Sequence, residues 1–246
     1  MDLNVSNLRD IFWSKLNKNS YKYSCLIKEK KIGTIKERLN NILEYAIRNV
    51  EYYSKIKEPT LENFPILTKN IIYNNFQRLQ SSSYVGNKFL TYSGGSTGKP
   101  IPILHCSEYL DWSNASIHNY FKSYFPKTWQ SSIKLEIWGS DQDLKNKRGN
   151  FFKTKVKEFL YGSYFHNCFN MDEDTIIKII EKINRFKPFY LKGYKNALII
   201  LAEYIYENNI NIHKSNFILP RTEVLDDYSR NLLEKVFSGR VLDMYG

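Results

Sequence analysis

A ten-residue stretch, residues 91–100, has the composition of an anion-binding loop. It reads Thr-Tyr-Ser-Gly-Gly-Ser-Thr-Gly-Lys-Pro. Its three glycines permit positive φ angles and remove side chains, so that consecutive backbone N–H groups can converge on an anion. Its hydroxyl groups add hydrogen-bond donors, and its lysine adds a positive charge, which together suit a polyphosphate. The candidate phosphate-binding residues are therefore Ser93, Gly94, Gly95, Ser96, Thr97, Gly98 and Lys99.

This loop is not a Walker A motif. With Gly98 and Lys99 in register, Ser93 occupies the first glycine position and Pro100 replaces the required Ser or Thr. A P-loop NTPase is therefore disfavoured. A second interpretation stays open, namely a Gly/Ser hairpin that only joins residues 89–92 to residues 101–105.

Other reactive residue types form no catalytic or metal-binding pattern in the sequence. Cys25, Cys106 and Cys168 are an odd number at wide separations, which fits neither a disulfide framework nor a zinc site. The four histidines lack metal-ligand spacing, and there is no Gly-x-Ser-x-Gly elbow. We therefore predict no metal ligands, and a hydrolase is disfavoured.

The elements that position the loop are those of an α/β fold. Residues 1–87 form a predicted helical N-terminal region, in which Thr34 and Thr68 are expected to be N-caps. In residues 88–246 short β-branched runs alternate with amphipathic segments, a pattern typical of a mainly parallel sheet flanked by helices. The predicted strands are 89–92, 101–105, 133–138, 163–168, 189–192, 216–219 and 240–244. The predicted helices of this region are 108–124, 151–160, 173–185, 197–207 and 227–237.

Composition limits the class of protein further. The chain has 246 residues, of which 42% are hydrophobic and 15% aromatic, so it is expected to fold around a core. No apolar run approaches the ~20 residues of a membrane-spanning helix, and the N-terminus lacks the pattern of a signal peptide, so we expect a cytoplasmic protein. The net charge of +11 favours anionic partners.

The stretch 93–100 resembles the phosphate-binding loop of the adenylate-forming superfamily. Four further stretches resemble its phenylacetate-CoA ligase-like branch, which includes CapK-type capsular polysaccharide biosynthesis proteins. They are residues 65–69, 137–140, 186–194 and 243–246, and they read PILTK, IWGS, FKPFYLKGY and DMYG. The resemblance implies the large α/β domain of these enzymes and an ATP-dependent ligase activity. Such a ligase converts a small-molecule carboxylate to an acyl-AMP and transfers the acyl group to CoA or an amine.

The resemblance also implies roles for individual residues. Residues 93–99 would hold the ATP phosphates, with Lys99 acting in catalysis. Trp138 and Tyr194 would line the pocket of the carboxylate substrate. Tyr245 and Gly246 would border adenine or the acyl-AMP. Glu223 would lie beside adenine, although Arg-Thr precedes it where relatives usually have a Gly-rich segment.

The small C-terminal domain of the family, with its lysine, and most ligands of Mg²⁺ are expected beyond Gly246. We therefore expect weak or no turnover from this chain alone. One alternative is a non-catalytic or degenerate nucleotide-binding module. Another is a basic protein that binds a membrane surface or nucleic acid through lysine-rich segments such as residues 153–157, although no specific nucleic-acid motif is present.

Overall fold

A computed structural model describes residues 5–92, 100–122, 124, 129–139 and 151–243. The chain divides into two compact units. The hairpin unit is Asn17–Tyr124, and the sheet unit is Met1–Leu16 together with Phe125–Gly246. The boundary between residues 87 and 88 that the sequence suggested stays a prediction.

The helices are α1 (Val5–Leu16), α2 (Lys18–Lys28), α3 (Ile35–Asn49), α4 (Lys69–Asn74), α5 (Ser107–Phe121), α6 (Phe151–Tyr161), α7 (Glu173–Phe186), α8 (Lys195–Glu207) and α9 (Asp227–Phe237), with 3₁₀ turns at Glu51–Tyr53 and Leu61–Asn63. The strands are β1 (Lys88–Tyr92), β2 (Pro102–Cys106), β3 (Lys134–Trp138), β4 (Ser163–Asn167), β5 (Tyr190–Tyr194), β6 (Phe217–Arg221) and β7 (Arg240–Val241).

The hairpin unit confirms both predicted N-caps. The Thr34 hydroxyl accepts the Glu37 N–H, and the Glu37 carboxylate accepts the Thr34 N–H at 2.6 Å, which completes a capping box. The Thr68 hydroxyl accepts the Ile71 N–H at 3.3 Å. These side chains satisfy N–H groups that have no partner within their own helices, and they fix where α3 and α4 begin.

The sheet unit contains a parallel five-stranded sheet in the order β4-β3-β5-β6-β7. One face carries the apolar residues of the strands, including Leu135, Ile137 and Leu191, which are packed against α7, α8 and α9. Their burial supplies the core, since removal of apolar surface from water is the main favourable term in folding. The crossover from β3 to β4 runs across the sheet in one direction, and the crossovers from β4 to β5, β5 to β6 and β6 to β7 run in the opposite direction. Right-handed connections therefore place α6 on the face of the sheet opposite to α7, α8 and α9.

The α/β fold class is confirmed, with one difference in the pairing of strands. β1 and β2 pair antiparallel as a separate two-stranded sheet in the hairpin unit, and they do not join the parallel sheet. Apolar patterning locates a strand but does not identify its partner, which explains this difference. No helix among the described residues is long and apolar enough to cross a membrane.

Candidate functional site

The strand order places a topological switch point between β3 and β5. The chain moves from β3 outward to β4, and then returns to the other side of β3 to form β5. Right-handed connections from the carboxyl ends of β3 and β5 would leave toward opposite faces of the sheet, so a crevice between them is expected. Open α/β sheets bind ligands in this crevice. The site is thus expected around the last residues of β3 and β5.

Trp138 and Tyr194 are the residues that end these two strands. Their rings stack with centroids 4.2 Å apart and an angle of 23° between the planes. The Tyr194 hydroxyl donates a hydrogen bond to the Gly139 carbonyl oxygen at 3.0 Å, which holds its ring toward the end of β3. Both residues are half-buried. The structure therefore brings together the two residues predicted to line the carboxylate pocket.

Close approach of the two strands fixes this aromatic pair. A Cβ atom on Gly193 would lie 2.5 Å from the Ile137 carbonyl oxygen, so glycine is required there on steric grounds. A Cβ atom on Gly139 would lie 2.9 Å from the Asn167 side-chain oxygen. A side chain at Gly193 would displace the backbone of β3 or β5, whereas a side chain at Gly139 would first meet the Asn167 side chain, which can move.

A charged cluster lies on the same face of the sheet as the aromatic pair. The Glu136 carboxylate contacts the Lys192 ammonium at 3.3 Å and the Lys134 ammonium at 3.9 Å, and it accepts the Ser163 hydroxyl at 2.8 Å. Burial raises the pKa of Glu136, but Lys192, Lys134 and Ser163 outweigh burial, so its pKa lies below the ordinary value. Burial lowers the pKa of Lys134. The cluster has two cations to one anion.

Sequence reasoning missed this cluster, although it contains a signal. Lys134, Glu136 and Trp138 alternate with Leu135 and Ile137, which places the charged residues and the tryptophan on one face of β3. The register of β5 adds Lys192 opposite Glu136. The alternation is readable from the sequence, but the register is not.

Glu223 lies after β6 beside a lysine that the sequence analysis did not single out. The Lys195 ammonium lies 3.2 Å from Asp226, 3.0 Å from the Val224 carbonyl oxygen and 4.0 Å from Glu223. Hydrogen bonds from the N–H and hydroxyl of Ser229, together with Lys195, lower the pKa of Asp226 to about 2. The adenine contact of Glu223 stays a prediction, and its carboxylate has a cation within reach.

The residues before Glu223 differ in sequence, but not in backbone conformation, from what a glycine would adopt there. Thr222 has a φ of +76°, a left-handed conformation that favours glycine. The backbone therefore keeps, with a threonine, the conformation that glycine would adopt easily, at a cost of strain.

The phosphate loop itself, residues 93–99, lies outside the described residues, as do Tyr245 and Gly246. The described flanks show that Tyr92 pairs with Pro102 at the end of an antiparallel ladder. The two ends of the loop are therefore held close together, as both the phosphate-loop and the hairpin interpretations require. The role of the loop stays a prediction.

A metal site is not formed by the side chains that are described. Among them, no group of three or more His, Cys, Asp or Glu residues could hold a metal ion. Cys168 is buried in the core, and burial raises the pKa of its thiol, so it fits a structural role.

Similarity to a known protein extends over most of this chain. No family model matches the chain. The chain is 27% identical to Protein CapK of Staphylococcus aureus over 224 residues, which cover 85% of this chain and 48% of CapK. The chain thus spans about half the length of the curated relative that it matches.

Two solved structures of 2-hydroxyisobutyryl-CoA ligase share the fold. One is in the postadenylation state with 2-HIB-AMP and has a TM-score of 0.55 at 14% identity, covering 85% of this chain and 47% of the ligase. The other is in the thioesterification state with 2-HIB-AMP and CoA and has a TM-score of 0.54 at 15% identity, covering 84% and 47%. The expected resemblance to CapK-type proteins is confirmed in sequence over about half the length of CapK, and the expected fold is shared with the two ligase structures.

Proposed function

We propose that this chain, which is CapK-like in sequence and has the fold of an adenylate-forming ligase, is the part of an acid ligase that binds ATP and a carboxylate. The ligase would form an acyl-AMP and transfer the acyl group to CoA or an amine, in surface polysaccharide biosynthesis. The observation that carries the proposal is the stacked Trp138–Tyr194 pair at the switch point of the sheet. The similar 2-hydroxyisobutyryl-CoA ligase structures contain an acyl-AMP and, in one case, CoA.

In this reaction the protein would mainly position the carboxylate and ATP, and it would form no covalent bond to either. A carboxylate oxygen attacks the α-phosphorus of ATP, a new P–O bond forms, and the bond to the departing pyrophosphate breaks. Residues 93–99 would hold the pyrophosphate portion through backbone N–H groups, and Lys99 would offset its growing charge. Mg²⁺, when bound, would neutralise phosphate charge, and we assign no residue to it.

The aromatic pair would position the acid at the open end of the crevice. Stacking of a planar group on an aromatic face contributes roughly 1–3 kcal/mol, and this contribution depends little on which planar group it is. The Tyr194 hydroxyl is held by Gly139, which leaves the exposed ring surfaces for contact with a ligand. The pair therefore supports placement of the acyl group or adenine, while the phosphate loop supplies charge recognition.

Titration calorimetry of the chain with ATP tests the proposal. Lys99→Ala is expected to weaken ATP binding about tenfold or more, because one charge-assisted hydrogen bond contributes about 1.5–3 kcal/mol. Lys57→Ala is the matched control, since Lys57 is exposed and far along the chain from the loop. ATP binding that is the same in wild type and Lys99→Ala would contradict the proposed role of the loop.

A non-catalytic nucleotide-binding module is the second candidate. The observation that favours it is the segment before α9, where Thr222 replaces glycine and Glu223 faces Lys195. ATP binding without any carboxylate-dependent release of pyrophosphate, measured in a protein that also carries the family's C-terminal domain, would support this module. Carboxylate-dependent release would exclude it.

A further inference from the structure

We propose that an open cleft in the hairpin unit is a binding site for an apolar monocarboxylate, a molecule with an extended aliphatic or aromatic body and one anionic group. The cleft has a volume of about 690 Å³. Ligand sites are commonly clefts of about 300–1,000 Å³ with mostly apolar walls and a few placed polar groups. The proposal does not rest on the proposed function, since every residue that carries it lies in residues 17–124 and no nucleotide is involved.

The walls of the cleft suit an apolar body. Leu67, Ile72, Phe76 and Leu79 line it from the segment around α4, and Leu104 lines it from β2. Contact of such side chains with a ligand removes apolar surface of both from water, which stabilises the complex by about 25 cal/mol per Å² before the cost of association.

One part of the lining is polar. The Tyr45 hydroxyl lies 2.6 Å from the Ser81 hydroxyl and 3.1 Å from that of Ser83. The hydrogen bonds with Ser81 and Ser83 lower the pKa of Tyr45, and the positive charge of Lys88 adds to this lowering. The Lys88 ammonium lies 5.6 Å from the centre of the Tyr84 ring, which also lines the cleft. The lining thus contains hydroxyl groups and one ammonium group that an anionic group could contact.

The charge of the lining selects the sign of the ligand. Among the described residues that line the cleft, Lys88 is the one Lys or Arg, and no Asp or Glu occurs. An anionic group in the cleft would be attracted by Lys88, whereas a cationic group would be repelled by it. One lysine balances one negative charge, which favours a carboxylate over a polyanion.

The test uses the full chain with methyl-labelled Leu and Ile side chains and three probes that share a ten-carbon tail. They are decanoate, decanol and decyltrimethylammonium. We expect decanoate to shift the NMR signals of Leu67, Ile72 and Leu79 and to bind about tenfold more tightly than decanol, the effect of one charge-assisted hydrogen bond. Decyltrimethylammonium is expected to bind most weakly.

Two substitutions assign this preference to the cleft. Lys88→Gln is expected to make decanoate and decanol bind equally, while Lys57→Gln, at an exposed lysine that does not line the cleft, leaves the tenfold preference unchanged.

Several results would overturn the proposal. Equal affinity for the three probes in wild type would show nonspecific apolar contact, and shifts confined to sheet-unit residues such as Leu198 would place the ligand elsewhere. Retention of the full preference in Lys88→Gln would remove the argument from charge. Absence of any shift at the solubility limit of decanoate would exclude the site.

Discussion

At the scale of single residues, the aromatic pair depends on a hydrogen bond as well as on stacking. The Tyr194 hydroxyl donates to the carbonyl oxygen of Gly139, the residue that directly follows the other ring of the pair. This contact joins the carboxyl ends of β3 and β5 across the crevice. It therefore determines where the ring surface is presented.

Tyr194→Phe removes that hydrogen bond and keeps the ring. We expect the free energy of unfolding to fall by about 1 kcal/mol, the usual net contribution of one hydrogen bond. Urea titration measures it. Tyr228→Phe is the control, because Tyr228 is exposed and its hydroxyl bonds the half-buried Glu203 at the surface, so its effect is expected to be smaller. If Tyr194→Phe lowers the free energy of unfolding by no more than Tyr228→Phe does, the hydrogen bond to Gly139 has no structural role.

The lowered pKa of Asp226, the N-cap residue of α9, predicts that the stability of the fold depends on pH. Its pKa of about 2 lies below the ordinary value near 3.8, so the native state favours the charged form. The stabilisation is therefore fully present above about pH 4 and is lost as the pH falls toward 2. Asp226→Asn keeps an N-cap side chain but removes the charge, and it is expected to lower the urea midpoint at neutral pH.

The difference between wild type and Asp226→Asn is expected to shrink as the pH is lowered through this window. Urea midpoints measured at several pH values check it. Asp227→Asn, one residue further along the same helix, is the matched control. A difference that stays constant with pH would show that the carboxylate charge does not stabilise the fold.

At the scale of secondary-structure elements, α7 shows how one helix face supplies the core. Ile183 is 0% exposed and packs among the core residues, whereas Ile177 on the same helix is 41% exposed. Ile183→Ala is expected to lower the free energy of unfolding by about 2–5 kcal/mol, because it removes buried methylene groups and leaves a cavity. Ile177→Ala is expected to change it by less than about 1 kcal/mol. Similar effects of the two substitutions in urea titrations would contradict this assignment of the buried face.

Most elements were predictable from the sequence because their signals are local. All seven predicted strands occur, and α9 has the predicted bounds of 227–237. The helix α8 begins at Lys195, two residues earlier than expected, since Tyr194 ends β5 directly before it. The predicted caps at Thr34 and Thr68 are confirmed because a cap depends on residues only three positions apart.

Pairing between distant segments was not predictable in this way. The hairpin that joins β1 to β2 was one of the interpretations left open, but its separation from the parallel sheet depends on hydrogen bonds that apolar periodicity does not encode. The Trp138–Tyr194 stack joins residues 56 positions apart, and the resemblance named both without indicating that their rings touch. The Lys134–Glu136–Lys192 cluster likewise required the register of two strands.

At the scale of the whole molecule, the excess of positive charge bears on the proposed ligand. The chain has 36 Lys and Arg residues against 25 Asp and Glu residues. Such a balance raises the local concentration of anions such as ATP, and salt screens this long-range attraction over about 10 Å at 0.1 M ionic strength.

ATP binding is therefore expected to weaken as salt is added, and binding by Lys99→Ala is expected to depend less steeply on salt, since one contributing charge is gone. Calorimetric titrations at several sodium chloride concentrations measure both slopes. Binding that is independent of salt would show that charge does not contribute to recognition. Lys57→Ala is the control, because it removes one lysine outside the loop. The salt dependence of ATP binding is compared between Lys57→Ala and Lys99→Ala.

The parallel order of the five strands has a consequence for how this scaffold diversifies. Residues that fill the interior lie within the strands and on α7, α8 and α9, whereas those at the mouth of the crevice end strands or follow them. Mutation and insertion in the connecting segments can therefore alter the choice of ligand while the interior is preserved. Descendants of one ancestral chain can thus acquire new substrates through changes in a few short loops, and such divergence leaves the architecture recognisable after most sequence identity has been lost.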